Sequence, residues 1–202
     1  MIDFREKSIQ ILRFLHLAEQ LKNELRHSWT SQGRQESVAD HSWRMCLLLL
    51  VSAPYLTPQL DLLKALKMAI IHDIGEIIVG DLHAFQLMKN PILAQDKKVK
   101  ESLAMKKIVE PLGEEGIELL NIWNEFEANQ SIEARAVNFI DKIEACIQHN
   151  EADIQTWTVE EIEGIDEYFS ALTPIEPFYQ EIKKIIQLET SKKIDATYQG
   201  KE

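Results

Sequence analysis

The chain has 202 residues, with 33 acidic against 22 basic side chains and a formal net charge of −11. That length suits one well-buried domain or two small ones, and the charge argues against partners such as nucleic-acid polymers or membrane surfaces, which need a basic patch. Seven glycines and six prolines, roughly half the usual share, disfavour a turn-rich all-β chain.

The N-terminal MIDFREKSIQ is charged at once and lacks the apolar core of a signal peptide. Helical periodicity begins with Ile11, Phe14, Leu15, Ala18, Leu21 and Leu25, a broad apolar face. Ser37-Val-Ala-Asp40 fits a capping box with Asp in place of Glu or Gln, so a second helix starts there and stops before Pro54. Its stretch MCLLLLVSAPYL is too short to span a bilayer. Leu60, Leu63, Leu66 and Ile70 predict a third helix opened by Thr57-Pro58. Residues 69–81, AIIHDIGEIIVGD, carry β-branched runs that suit either a buried strand or a helix.

Residues 82–99, with Asn90-Pro91, predict a mobile loop, and Leu103 to Phe126 predicts two helices split around Leu112-Gly113. Ile132, Ala136, Phe139, Ile140, Ile143 and Ile147 form a regular stripe, and Ile175, Phe178, Tyr179, Ile182, Ile185 and Ile186 another. The polar tail after Leu188 is expected to fray. Cys46 and Cys146 cannot make a disulfide framework, which points to a reducing, cytoplasmic compartment. The expected architecture is a single all-α domain over 1–202. Its motif-bearing core spans about 10–150, with C-terminal helices over 158–190 and a frayed tail over 191–202.

Of six histidines, His72 stands out because His72-Asp73 sits inside an apolar run. A carboxylate there needs a cation, a donor network or a cleft open to solvent. Asp141, bracketed by Phe139, Ile140 and Ile143, raises the same question, with a salt bridge to Lys142 or another helix as the plain alternative. His41 lies early in the second helix, four residues before Met45, and either faces inward or bonds a helix-end carbonyl. Together His41, His72, Asp73 and Asp141 make a mixed N/O set suited to a divalent ion of the Mn, Fe, Co, Ni or Zn kind.

The order H…HD…D, with gaps of 31 and 68 residues, resembles the HD-domain superfamily of metal-dependent phosphohydrolases. GRQESVADHSWRM (33–45), HDIGEIIVGD (72–81) and NFIDKIEA (138–145) are similar to motifs of its 5′-deoxynucleotidase-like branch. The resemblance implies an all-α bundle of the HD type and one divalent metal ion (Mn, Co, Fe, Ni, Zn or Mg) on His41, His72, Asp73 and Asp141. It also implies catalytic roles for Glu76 and Asp81 and a homodimer. Glu76 falls four residues after His72 and three after Asp73, in their helical neighbourhood. Neither acid is assigned as proton donor or acceptor.

An acidic chain that holds a phosphate needs local donors, and arginine grips phosphate oxygens with two prongs. Arg26 and Arg34 are the candidates, Arg34 and Glu36 matching a family motif. Where the best-known pattern has Trp directly after the first arginine, His27 follows Arg26 and the nearest tryptophan is Trp29. That departure bears on the sugar contact and on selection of deoxyribose. The implied reaction is release of phosphate from deoxynucleoside 5′-monophosphates, a small-molecule nucleotide substrate. The alternatives are HD-type hydrolysis of a triphosphate, cyclic nucleotide or alarmone, and a non-catalytic metal- or nucleotide-binding module.

Overall fold

The computed structural model describes residues 3–57, 59–174 and 176–199. Its helices are α1 (Phe4–Ala18), α2 (Val38–Ser52), α3 (Leu62–Ile71), the single turn α4 (Glu76–Val79), α5 (Ala84–Lys89), α6 (Pro91–Val109), α7 (Glu114–Ala128), α8 (Ile132–Glu151), α9 (Val159–Ala171) and α10 (Pro177–Gln199). Between α1 and α2 runs a short antiparallel hairpin, β1 (Leu25–Trp29) and β2 (Gln35–Ser37). The all-α class is as expected; the hairpin is an addition to it.

The middle of the bundle is α8, which packs against α2, α3, α7 and α10 and also touches β1. Ala134, Ala136, Val137, Phe139, Ile140 and Ile143 are all buried, and so are the polar Glu133, Glu144 and Gln148, so the helix is enclosed on several sides. One core layer joins α2, α3, α8, α9 and α10 through Met45, Leu49, Met68, Phe169 and Tyr179. A second gathers Val38, Ile71, Met105, Ile108 and Trp123, with Phe14 and Leu17 of α1 leaning on it.

Local signals set several boundaries as read from the sequence. Both halves of the Ser37/Asp40 capping box are formed at the start of α2, which ends just before the 3-10 turn holding Pro54. Gly113, at φ +68°, separates α6 and its terminal turn from α7, a conformation that favours glycine.

Other expectations are corrected. The first apolar stripe is not one helix: α1 ends at Ala18, Leu21 lies in a 3-10 turn and Leu25 on β1. No residue of α1 is fully buried, and Ile11 and Leu15 are exposed. The helix α3 starts at Leu62 behind Asp61, whose carboxylate accepts the Lys64 N–H; Pro58 lies outside the described residues, as does Ile175. Residues 69–81 are the end of α3, a turn and α4, without a strand. The stretch 82–99 is taken up by α5 and the first half of α6, with Pro91 at its first position and Asn90 capping it. Ile185 falls on the exposed side of α10. That helix continues through the polar tail to Gln199, and does not end near Leu188. No helix among the described residues is long and apolar enough to cross a membrane.

Candidate active site

The first-turn histidine of α2, His41, is completely buried and meets α8 with both ring nitrogens. Nδ1 bonds the Glu144 carboxylate, and Nε2 stands 3.1 Å from Asp141 Oδ1. Three residues apart on α8, Asp141 and Glu144 share one helical face, so a single imidazole lies between two carboxylates. Glu144, buried itself, also accepts a hydrogen bond from Arg44 Nε on α2. Burial opposes a charge on His41, as does Arg26, but Glu144 and Asp141 outweigh them and raise the imidazole to about 9. The position between His41 Nε2 and Asp141 is therefore built to hold positive charge.

At the C-terminal end of α3, His72 donates from Nδ1 to the Ala69 carbonyl at 2.9 Å, which makes Nε2 the nitrogen available to a metal ion. That Nε2 is buried and has no hydrogen-bond partner among the described residues. It lies 2.9 Å from Asp73 Oδ2 and 3.9 Å from Asp141 Oδ1. The turn is held by Trp123, whose indole N–H donates to the His72 carbonyl at 3.0 Å. Burial opposes a charge on His72, but Asp73 and then Asp141 raise its imidazole, so the space among them is held by a positive charge, a proton or a metal ion. The donor set of two imidazole nitrogens and two carboxylates, each ring fixed by its other nitrogen, fits a divalent ion.

Around this centre, Arg26 on β1 places Nη1 3.6 Å from Asp73 Oδ2 and Nε 3.4 Å from buried Glu36. Burial works against the Arg26 charge, but Asp73, Asp81 and Asp141 hold it firmly in place. Asp73 is itself kept well below the usual carboxylate range: burial opposes this, and His72, Arg26 and His41 prevail. Glu76, first residue of α4, is buried and accepts from Lys97 Nζ of α6 at 2.8 Å. Burial and then Asp73 push Glu76 up to about 9, with Lys97 opposing. Asp81 follows Gly80, whose φ of +80° turns the chain out of α4, and its backbone N–H donates to Glu24 at 3.0 Å. Arg26, Asp73, Glu76, Asp81, Lys97 and Asp141 all line one cavity of about 380 Å3.

His41, His72, Asp73 and Asp141 thus come together from α2, the turn after α3, and α8, with Arg26, Glu76 and Asp81 beside them. Arg34 does not join them. It is exposed in the hairpin turn, where its guanidinium bonds Asp40 at 2.7 Å. Nor does Trp29 line the cavity; its ring packs edge-on against His27, centroids 4.8 Å apart, and its carbonyl accepts from Gln148. The hairpin gives both side chains other partners, Asp40 for Arg34 and the His27 ring for Trp29. Glu144, Arg44 and Lys97 went unnoticed in the sequence. Glu144 had one available signal, its position three residues after Asp141 on a buried stripe.

A sequence model of the HD domain family matches residues 18–183. The 5′-deoxynucleotidase HDDC2 of Mus musculus is 34% identical over 144 residues, covering 70% of this chain and 69% of that protein. Its Homo sapiens namesake is also 34% identical over 144 residues, covering 70% and 67%. Among solved structures, a "Predicted metal-dependent phosphohydrolase" of Magnetospirillum magnetotacticum MS-1 shares the fold with a TM-score of 0.78, over 96% of this chain and 98% of that one, at 20% identity. The chain belongs to the HD domain family.

Proposed function

We propose that this protein is a divalent-metal-dependent phosphohydrolase that releases phosphate from deoxynucleoside 5′-monophosphates. The observation that carries the reading is the buried Nε2 of His72 set beside Asp73, Asp141 and His41. His41, His72, Asp73 and Asp141 would hold one divalent ion, of the Mn, Co, Fe, Ni, Zn or Mg class. When bound, that ion supplies Lewis acidity, lowering the pKa of coordinated water and polarising a phosphoryl oxygen. The support for the substrate class is likeness to relatives named 5′-deoxynucleotidase.

The chain's own residues supply the rest. Arg26 offers a permanent guanidinium charge at the cavity wall for phosphate oxygens, and its ion pairs with Asp73 and Glu36 fix its direction. Glu76 and Asp81 are free of the proposed ligand set and carry the protons that hydrolysis must move. Lys97 holds Glu76 against the cavity. The volume of about 380 Å3 is within the range of small-molecule sites. Arg34 and Trp29 have no direct substrate contact in this reading.

The finer assembly and location belong to the same proposal: a homodimer working in the cytoplasm. Trp43, Leu47, Leu50 and Val51 are exposed on one face of α2, spaced as an apolar stripe. A second copy meeting that stripe through a two-fold axis is the simplest way to cover it.

With Mn2+ or Co2+, the purified protein should release inorganic phosphate from at least one of dAMP, dGMP, dCMP, dTMP and dUMP. Asp73→Ala and Glu76→Ala should each abolish that release. All five nucleotides intact with every metal would overturn the substrate class, and pyrophosphate as product would move the reading to triphosphate hydrolysis.

A further inference from the structure

The same cavity has a second cluster of ligand-type side chains, which the proposed reaction does not use. His27 comes from β1, His83 from the residue before α5, His149 from the last turn of α8, and Glu161 from the first turn of α9. Glu161 is 1% exposed. Its Oε1 lies 2.7 Å from His83 Nε2 and 2.9 Å from His149 Nε2. Its Oε2 accepts the Thr158 N–H at 2.6 Å and stands 3.6 Å from His27 Nε2.

The cluster directs three imidazoles at one buried carboxylate, a place for a proton or a metal ion. His149 donates from Nδ1 to the Ala145 carbonyl at 3.1 Å, so Nε2 is the nitrogen that faces Glu161 Oε1. His27 Nε2 is buried and has no hydrogen-bond partner among the described residues. The His27 and His83 rings meet edge to face with centroids 4.6 Å apart, too close for two imidazolium rings to share the space comfortably. One ligand atom from each of His27, His83 and Glu161 falls within 4.8 Å of the others. That is close to the span of two metal–ligand bonds of about 2.0–2.2 Å. Glu161 is also pinned by the capping box of α9, so the carboxylate stands ready before any ion arrives.

We propose that Glu161, His83 and His27 form a second divalent transition-metal site, with His149 bonded to the same Glu161 carboxylate, separate from the centre at His41, His72, Asp73 and Asp141. An imidazole-rich set with one carboxylate selects Zn2+, Co2+ or Ni2+ over the harder Mg2+ and Ca2+. Bound there, an ion ties β1, the entry to α5 and the start of α9 into one cavity wall. The site rests on its own geometry and not on the reaction proposed above.

The test counts metal and needs no turnover. Chelator-stripped protein is titrated with Zn2+, desalted and measured by elemental analysis. His27→Ala, His83→Ala and Glu161→Gln should each hold one equivalent fewer than the unaltered protein. Each should keep the equivalent that Asp73→Ala removes, and Asp73→Ala should keep the one they lose. Variants that retain the full count would overturn the second site and leave a protonated histidine cluster in its place. Glu161→Gln also weakens the α9 cap; if it fails to fold, the two histidine variants decide. A protein inactive on every nucleotide but with this pattern of metal loss would sink the proposed reaction and leave the second site standing.

Discussion

Glu144 does not line the cavity, yet it decides how His41 presents itself. Its carboxylate takes one ring nitrogen and leaves the other to face Asp141. Replacing such an outer partner typically costs 10–100-fold in metal affinity. Glu144→Gln should therefore weaken metal binding by about that factor, read by titration of stripped protein, while the far-ultraviolet circular dichroism stays unchanged. Lys97 has a comparable hold on Glu76. It is the cation that opposes the upward push of burial and Asp73 on that carboxyl. In Lys97→Met, whichever limb of the pH–rate profile Glu76 sets should move to higher pH; an unmoved limb would remove Glu76 from proton transfer. At this scale the sequence revealed residue types and missed partners. His41 and Glu144 are 103 positions apart, and no local pattern records a contact of that range. Arg34 shows the converse: a motif placed it near the site, but Asp40, six residues away, took its guanidinium.

Elements set by local chemistry were the most legible. Ser37 and Asp40 satisfy each other's backbone donors, so the start of α2 could be read from four residues. Ser37→Ala should cost about 1 kcal/mol, measured as a lower urea midpoint. It should also loosen His41, one turn further on. Gly116 carries a different constraint: a Cβ there would lie 2.1 Å from the Val109 carbonyl oxygen. Gly116→Ala must push α7 off the end of α6 and should destabilise by about 1–3 kcal/mol in the same assay. Elements set by long-range contact were illegible. The β-branched run at 69–81 suited a strand by composition, yet packing against α6 and the turn bonded by Trp123 make it helical. The stretch 82–99, with Asn90-Pro91 and a Lys pair, suited a loop, but Asn90 and Pro91 serve there as a helix start. The hairpin was missed because strands of five and three residues carry too little periodicity to stand out.

For the whole molecule, net charge described the surface and not the site. A chain of −11 still surrounds its cavity with Arg26 and Lys97 and with acids directed at a cation. Excluding nucleic-acid polymers followed from the surface; the phosphate-binding reading needed the interior. The α2 stripe is the matching feature on the outside. Leu47→Glu with Val51→Glu should convert the proposed dimer to monomer in sedimentation velocity, with little change in thermal midpoint, since both side chains are exposed. A monomer before substitution would remove the dimer from the proposal.

The pairing of β1 with β2 is uneven: four steps from Leu25 to Trp29 answer two from Ser37 to Gln35. Successive side chains on a regular strand point to opposite faces, so Arg26 and His27 could not both reach one cavity from an even ladder. The surplus on β1 re-aims them, and both line it. Insertions and deletions should therefore be poorly tolerated in this five-residue strand, shorter than most of the helices around it. Deleting a single residue, Ser28, would keep Arg26 and His27 in the chain, yet shift the strand by one step and turn one of the two away from the cavity.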